Sequence, residues 1–313
     1  MKIHALSTGQ VEIKSKQAHA EERGRLSRLT SVFLDQQWSG WLPIHIWVIE
    51  HPEGVIVIDA GDTAAPPPGL NHPFNTLAVR KHIRVEEEAG PQLAQLGIRP
   101  SDVRWLVLTH LHVDHDGGLG YFPKAQAVVA RGEYQQASGL RGRLQGYFPQ
   151  RWPRDWTPTL TDLEPIRFGG FERSQRLTKA GDVILVSTPG HTSDHLSVVV
   201  QDGAHSLFFA GDTSYTQRQM LEGWPDGVGP SERAELDTLT RIRQFAADNA
   251  TVYLPTHDPE AAGRLQRLET TGLEHGALER PSGVGLKSYS INRRSDARIT
   301  QPRSTCGTRD LRA

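Results

Sequence analysis

Cysteine is nearly absent from this chain of 313 residues. Cys306 stands alone, so no intrachain disulfide can form and thiolates cannot be the main ligands of a metal. An excess of charge is missing too. The 35 basic residues against 36 acidic ones leave a formal net charge of -1, which gives no field for drawing in nucleic acid, and no nucleic-acid partner is expected. No apolar run is long enough to cross a bilayer, so no membrane partner is expected either. The first ten residues lead into Glu12, Lys14, Lys16, Glu21 and Glu22 without the apolar core of a secretion signal, and a cytoplasmic protein is expected. A glycine-rich phosphate loop is also lacking.

Histidine is not scarce, with 14 in the chain, and its distribution is uneven. Residues 106 to 118 read Leu-Val-Leu-Thr-His-Leu-His-Val-Asp-His-Asp-Gly-Gly, directly after the strand-like run that begins at Val103. A lone histidine is more often a packed or surface residue than a ligand. Here His110, His112, Asp114 and His115 fall within six positions of a loop that can turn them into one cavity, and that pattern points to a metal site. Three more donors sit in the same strand-then-turn setting: His191 after Val-Ile-Leu-Val-Ser-Thr-Pro-Gly, Asp212 after Leu-Phe-Phe-Ala-Gly, and His257 after Val-Tyr-Leu-Pro-Thr. Seven donors are too many for one tetrahedral ion and suit two ions that share a carboxylate. The partition expected is His110, His112 and His191 on one ion, Asp114, His115 and His257 on the other, and Asp212 between them.

The rest of the chain reads as strands with helices interspersed. A hairpin is expected from residues 42–49 and 55–59 across His51-Pro52-Glu53-Gly54, and a helix over 84–97 with Val85, Leu93 and Leu96 on one face. Strands are expected at 103–108, 125–130, 183–187, 196–200, 206–210 and 251–255, and helices at 131–136 and 231–247. This α/β pattern favours two packed sheets flanked by helices in one catalytic domain, residues 1–275. Residues 139 to 158 interleave Gly, Arg and Pro with aromatics and show little periodicity, which reads as an insertion or lid outside the core. From 276 to 313 eight basic residues face three acidic ones, a net charge of +5 with few large apolar side chains, which reads as a poorly ordered tail.

The ordered set Thr-His110-Leu-His112-Val-Asp114-His115-Asp-Gly-Gly, Thr-Pro-Gly-His191-Thr, Gly-Asp212 and His257 resembles the metallo-β-lactamase superfamily over roughly residues 40 to 258. That resemblance implies a four-layer αβ/βα sandwich with a dinuclear site at one edge. It also implies that Asp59, at a strand end, orients a ligand histidine. Asp212-Thr-Ser-Tyr215, Leu42-Pro43, Arg131-x-Glu133-Tyr134 and Thr188-Pro-Gly-His-Thr-x-x-His195 are similar to the N-acyl-homoserine lactonases within it, and this implies that Tyr215 hydrogen-bonds the lactone. Val113, Asp116, Ser193 and Asp194 depart from that family's pattern, so the pocket floor is expected to differ.

The expected activity is therefore hydrolysis of an acyl lactone, with Asp114 and Tyr215 as catalytic groups. A water shared by two divalent cations is acidified towards neutrality, so no serine or cysteine nucleophile is needed. Tyr147, Phe148 and Trp152 are the aromatics expected to meet the substrate. Zinc is the first choice of ion, while iron, cobalt and manganese suit the same donors. A homodimer is compatible with the sequence. Alternatives on the same site are a glyoxalase II-type thioesterase, a phosphodiesterase or a β-lactamase.

Overall fold

The computed structural model of the protein describes residues 1–65, 77–139 and 142–273. The basic tail expected from residue 276, with Cys306, lies outside them. Seven strands make one sheet: β1 (Lys2–Ile13), β2 (Leu42–Glu50), β3 (Val55–Ile58), β4 (Val79–His82), β5 (Val103–Val107), β6 (Gln126–Ala130) and β7 (Thr159–Thr161), in the order β4-β1-β2-β3-β5-β6-β7. Five make the other: β8 (Ser174–Arg176), β9 (Val183–Ser187), β10 (Leu196–Asp202), β11 (His205–Gly211) and β12 (Thr251–Pro255), in the order β12-β11-β10-β9-β8.

Successive side chains of a strand point to opposite faces, and here both faces are apolar. Trp47 and Ile49 of β2, Ile56 and Ile58 of β3, and Trp105 and Val107 of β5 meet Leu185 of β9, Val198 and Val200 of β10, Phe209 of β11 and Leu254 of β12 in one core between the sheets. The alternate residues Ile46, Val48, Val57 and Leu106 face outward onto Ala89 and Leu93 of the helix Ala89–Gln95. On the far side Val186, Val199, Phe208 and Tyr253 cover Leu239, Ile242 and Phe245 of the helix Glu232–Asp248. The layers therefore run helix, sheet, sheet, helix, as the sequence led us to expect.

Strand direction explains where the site lies. β3, β5 and β6 are parallel to one another, while β9 and β11 both run antiparallel to β10, and β12 is parallel to β11. The segments that leave β3, β5, β9, β11 and β12 carry Asp59, His110 to His115, His191, Asp212 and His257, and all emerge along one rim. Two backbone hydrogen bonds stitch the sheets there, Leu196 N–H to Thr109 O at 3.0 Å and His45 N–H to Thr256 O at 3.0 Å.

Two expectations need correction, and one stretch carries none. The helix over 84–97 begins only at Ala89; Val85 lies in a separate turn, exposed, and Pro91 is tolerated in the first turn, where no intrahelical N–H bond is lost. Residues 139–158 are not all outside the core. Tyr147 and Phe148 are buried, because large aromatics can be driven inward from aperiodic backbone as readily as from a helix. The N-terminal 34 residues, for which the sequence reading names no element, form β1 and the helix Arg25–Leu34, with the short helix Ser15–Ala18 between them. A register shift between Ser7 and Gln10, at Gly9 with φ +118°, interrupts the alternation of β1 and hides its period.

Phe209 sits at the centre of the inter-sheet core, and Leu26 is 82% exposed. Phe209→Ala is expected to cost about 3–5 kcal/mol in a urea titration, whereas Leu26→Ala should leave the midpoint unchanged.

Candidate metal centre

The loop after β5 is shaped by close backbone contact. Ala60 N–H bonds to His115 O at 2.7 Å and Gly118 N–H to Gly61 O at 3.0 Å, so a Cβ on Gly118 would overlap the Ala60 carbonyl. That is why two glycines follow the histidine cluster. Gly211 is required in the same way: it has φ +56°, and a Cβ there would run into His195 and Thr109.

The structure brings all seven expected donors together. Nδ1 of His112 lies 3.0 Å from Nε2 of His110 and 3.0 Å from Nε2 of His191. Nε2 of His115 is 3.3 Å from Asp212 Oδ1, and Nε2 of His257 is 3.3 Å from Asp212 Oδ2 and 3.5 Å from Asp114 Oδ2. His110, His112 and His191 form one group able to hold an ion; Asp114, His115 and His257 form another; Asp212 groups with His110 and His115.

The outward nitrogens fix which atoms face inward. His257 Nδ1 is 2.9 Å from Pro43 O, a carbonyl that can only accept, so Nδ1 carries the proton and Nε2 presents its lone pair. Asp226 Oδ2 takes the Nδ1 proton of His191 at 2.7 Å, and Asp59 Oδ2 that of His115 at 2.8 Å. Thr109 gives its hydroxyl proton to Asp59, which leaves its oxygen to accept from His110 Nδ1 at 3.1 Å. Four rings thus turn Nε2 towards the centre. The buried His115 Nε2 and Asp212 Oδ1 make no hydrogen bond. Converging lone pairs and two orphaned atoms are what a divalent cation satisfies, so the donor set fits the ions that the sequence implied.

Burial opposes charge on every ring, but at His115 the carboxylates of Asp212 and Asp59 outweigh it and hold the pKa well above the ordinary histidine value. His191 beside Asp226 and His257 beside Asp212 are raised for the same reason. Burial wins at His110, which is lowered, and at His112, pushed down to about 3. Burial also resists charge on Asp114, yet His115, Lys81 and His257 keep its pKa at about 2, so it is ionised at neutrality.

Asp59 has φ +60°, a left-handed backbone that its two hydrogen-bonded partners, Thr109 and His115, hold in place. Asp226 was not foreseen. It lies in an aperiodic loop, where Pro225-Asp226-Gly227 signalled only a turn. Its Oδ1 accepts from Val228 and Gly229, its N–H bonds to Glu235 Oε1 at 2.5 Å, and its carbonyl accepts from buried Arg28 at 2.6 Å. His195 is no ligand here; it accepts the Asp212 N–H at 3.2 Å.

A cavity of about 130 Å³ opens over the donors. His112, Asp114, His191, Asp212 and His257 line its floor, and Val11, Ile13, Leu29, Val79, Val228 and Pro230 its walls. Tyr215 lines it too, buried, with its ring stacked on His257 at 5.6 Å and edge-on to His191 at 6.0 Å. Of the three aromatics expected to meet substrate, Tyr147 is in the lining, while Phe148 and Trp152 are not. Trp152 instead donates to Asp116 Oδ2 at 2.6 Å and packs on Tyr134 and Trp156. Burial raises that Asp116 carboxyl to about 8, so the tryptophan meets a mostly protonated acid at neutral pH.

A sequence profile of the Metallo-beta-lactamase superfamily matches residues 39–257. The chain is 35% identical over 229 residues to a probable metallo-hydrolase of Mycobacterium tuberculosis, across 69% of this chain and 71% of that protein. It is 29% identical over 235 residues to the N-acyl homoserine lactonase AttM of Azorhizobium caulinodans, across 70% and 83%. Among solved structures it resembles an N-acyl homoserine lactone hydrolase with N-hexanoyl-L-homoserine at its catalytic metal center, with a TM-score of 0.68 at 20% identity, over 83% of this chain and 94% of that one. It also resembles the dizinc quorum-quenching lactonase AidC, with a TM-score of 0.58 at 16% identity, over 83% and 90%. At these identities the structural likenesses speak for the fold.

Two outcomes are expected. A cation must displace the protons that His115, His191 and His257 hold at raised pKa, so metal uptake should release protons, and affinity by chelator competition should rise as pH climbs through and above the ordinary histidine range. In the metal-free protein those rings stabilise the fold while protonated, a contribution present below the ordinary histidine pKa and lost as pH rises through the raised values. Asp226→Ala should weaken metal binding about 10- to 100-fold in the same assay.

Proposed function

We propose that this chain, which belongs to the Metallo-beta-lactamase superfamily, is a dinuclear metal-dependent hydrolase that opens the lactone ring of N-acyl-homoserine lactones. What supports the reading is Tyr215, whose phenol shares the cavity with Asp114, His191, Asp212 and His257 and stands over the rings of His191 and His257. The lactonases among its relatives point the same way.

His110, His112 and His191 would hold one ion, Asp114, His115 and His257 the other, and Asp212 would serve both. Two divalent cations, zinc first among them, would supply an acidified water nucleophile and a Lewis acid for the carbonyl. The chain's own residues do the rest. Tyr215 is held protonated by its burial and by Asp226 and Asp212, so it meets the carbonyl oxygen as a donor and stabilises the charge that develops there. Asp114, ionised and partly open to the cavity, takes the proton that the nucleophile loses and returns it to the departing ring alkoxide. The apolar walls exclude water and receive the acyl chain.

The test is a substrate panel on metal-replete protein: short- and long-chain N-acyl-homoserine lactones, S-lactoylglutathione, a cephalosporin and a phosphodiester. Lactones should be turned over fastest. Turnover of the thioester, the cephalosporin or the phosphodiester without lactone opening overturns the reading. Asp114→Asn should lose most of kcat with the metal still bound, and Tyr215→Phe about 10- to 100-fold, the worth of one hydrogen bond to a charged oxygen.

A further inference from the structure

Gln17 lies in the short helix Ser15–Ala18, and its side chain is buried. Its Nε2 donates to the phenolic oxygen of Tyr215 at 3.1 Å. Its backbone is anchored on both sides: Gln17 N–H bonds to Lys14 O at 2.8 Å, and Gly227 N–H bonds to Gln17 O at 2.9 Å. Gln17 and Tyr215 both line the cavity above the donors.

The tyrosine ring has little freedom. It is clamped between His257 and His191, and its backbone N–H bonds to Gln219 Oε1 at 2.7 Å. What remains is rotation of the hydroxyl, whose proton prefers the ring plane on one side or the other. A donor from Gln17 occupies the lone-pair side, so the proton must point the other way. Among the described residues no group accepts that proton.

We propose that Gln17 is a positioning residue that fixes the Tyr215 hydroxyl as a hydrogen-bond donor into the catalytic cavity. The inference rests on reading Tyr215 as the group that meets the substrate carbonyl. It assigns a role to a segment that precedes every metal donor in the chain and contributes none of them.

Gln17→Glu replaces the donor with an acceptor, which would take the phenolic proton and leave only lone pairs facing the carbonyl. kcat should fall on the order of 10-fold or more with KM nearly unchanged, and Gln17→Glu in a Tyr215→Phe background should cost nothing further. Gln17→Leu, which removes the donor without adding an acceptor, should lose a few-fold, again only when Tyr215 is present. A second readout does not depend on turnover: affinity for the lactam analogue of the substrate should drop about 10-fold in Gln17→Glu, with metal content and Tm unchanged. Wild-type kcat and lactam affinity in Gln17→Glu would overturn the proposal. So would equal losses with and without Tyr215, which would assign the effect to structure. Should Gln17→Glu fail to fold, Gln17→Leu decides by the same comparison. If the wild type turns over another member of the panel instead of lactones, the proposed function fails, and the Gln17–Tyr215 coupling is measured on that substrate.

Discussion

Five imidazoles can converge in one buried cavity only if each ring sheds its charge, faces a carboxylate or gives up its inward proton to a cation. Everything at the rim follows from that constraint. Pro43, Asp59, Thr109 and Asp226 each take the outward proton of a ring and so turn its free nitrogen inward. Remove the outward partner and a ring is free to flip its tautomer, which points a proton at the place a cation would occupy. The centre is thus defined less by the donors than by the acceptors behind them.

Those acceptors are held by the sandwich. Asp59 is itself the left-handed residue just past the end of β3, Pro43 lies at the start of β2, and Asp226 in the loop before the helix Glu232–Asp248. Buried Arg28 grips that loop through the carbonyls of Asp226 and Gly229, and Glu235 closes it from the other side. The N-terminal helix, remote in sequence from His191, therefore restrains its orientation through one aspartate.

The floor of the site was legible in the sequence, and its walls were not. His110, His112, Asp114, His115, His191, Asp212 and His257 follow apolar runs at strand ends, so residue type and local pattern both carried the signal. The sandwich was legible because period-2 runs buried on both faces leave continuous apolar stretches in β2, β9, β10 and β11. Arg28 and Gln17 act through contacts across 198 positions of chain and Asp226 across 35, and no local pattern marks such pairs. β1 escaped notice because the shift at Gly9 moves its apolar residues from one face to the other. Trp152 misled for a related reason: an aromatic in an aperiodic stretch looks like a pocket wall, yet this one serves an internal acid.

The cavity wall contributed by Val11, Ile13, Gln17 and Leu29 comes from a stretch that ends before the first residue of the superfamily match. Val79, Val228 and Pro230 of the same wall lie within that match, so the cavity is built from both sides of the boundary. The stretch before residue 39 also carries Arg28, which braces the Asp226 loop behind His191, and Gln17, which bonds to Tyr215, so a substitution there reaches the donors as well as the wall. What lies ahead of the matched region is thus part of the site's own architecture and not an appendage to it.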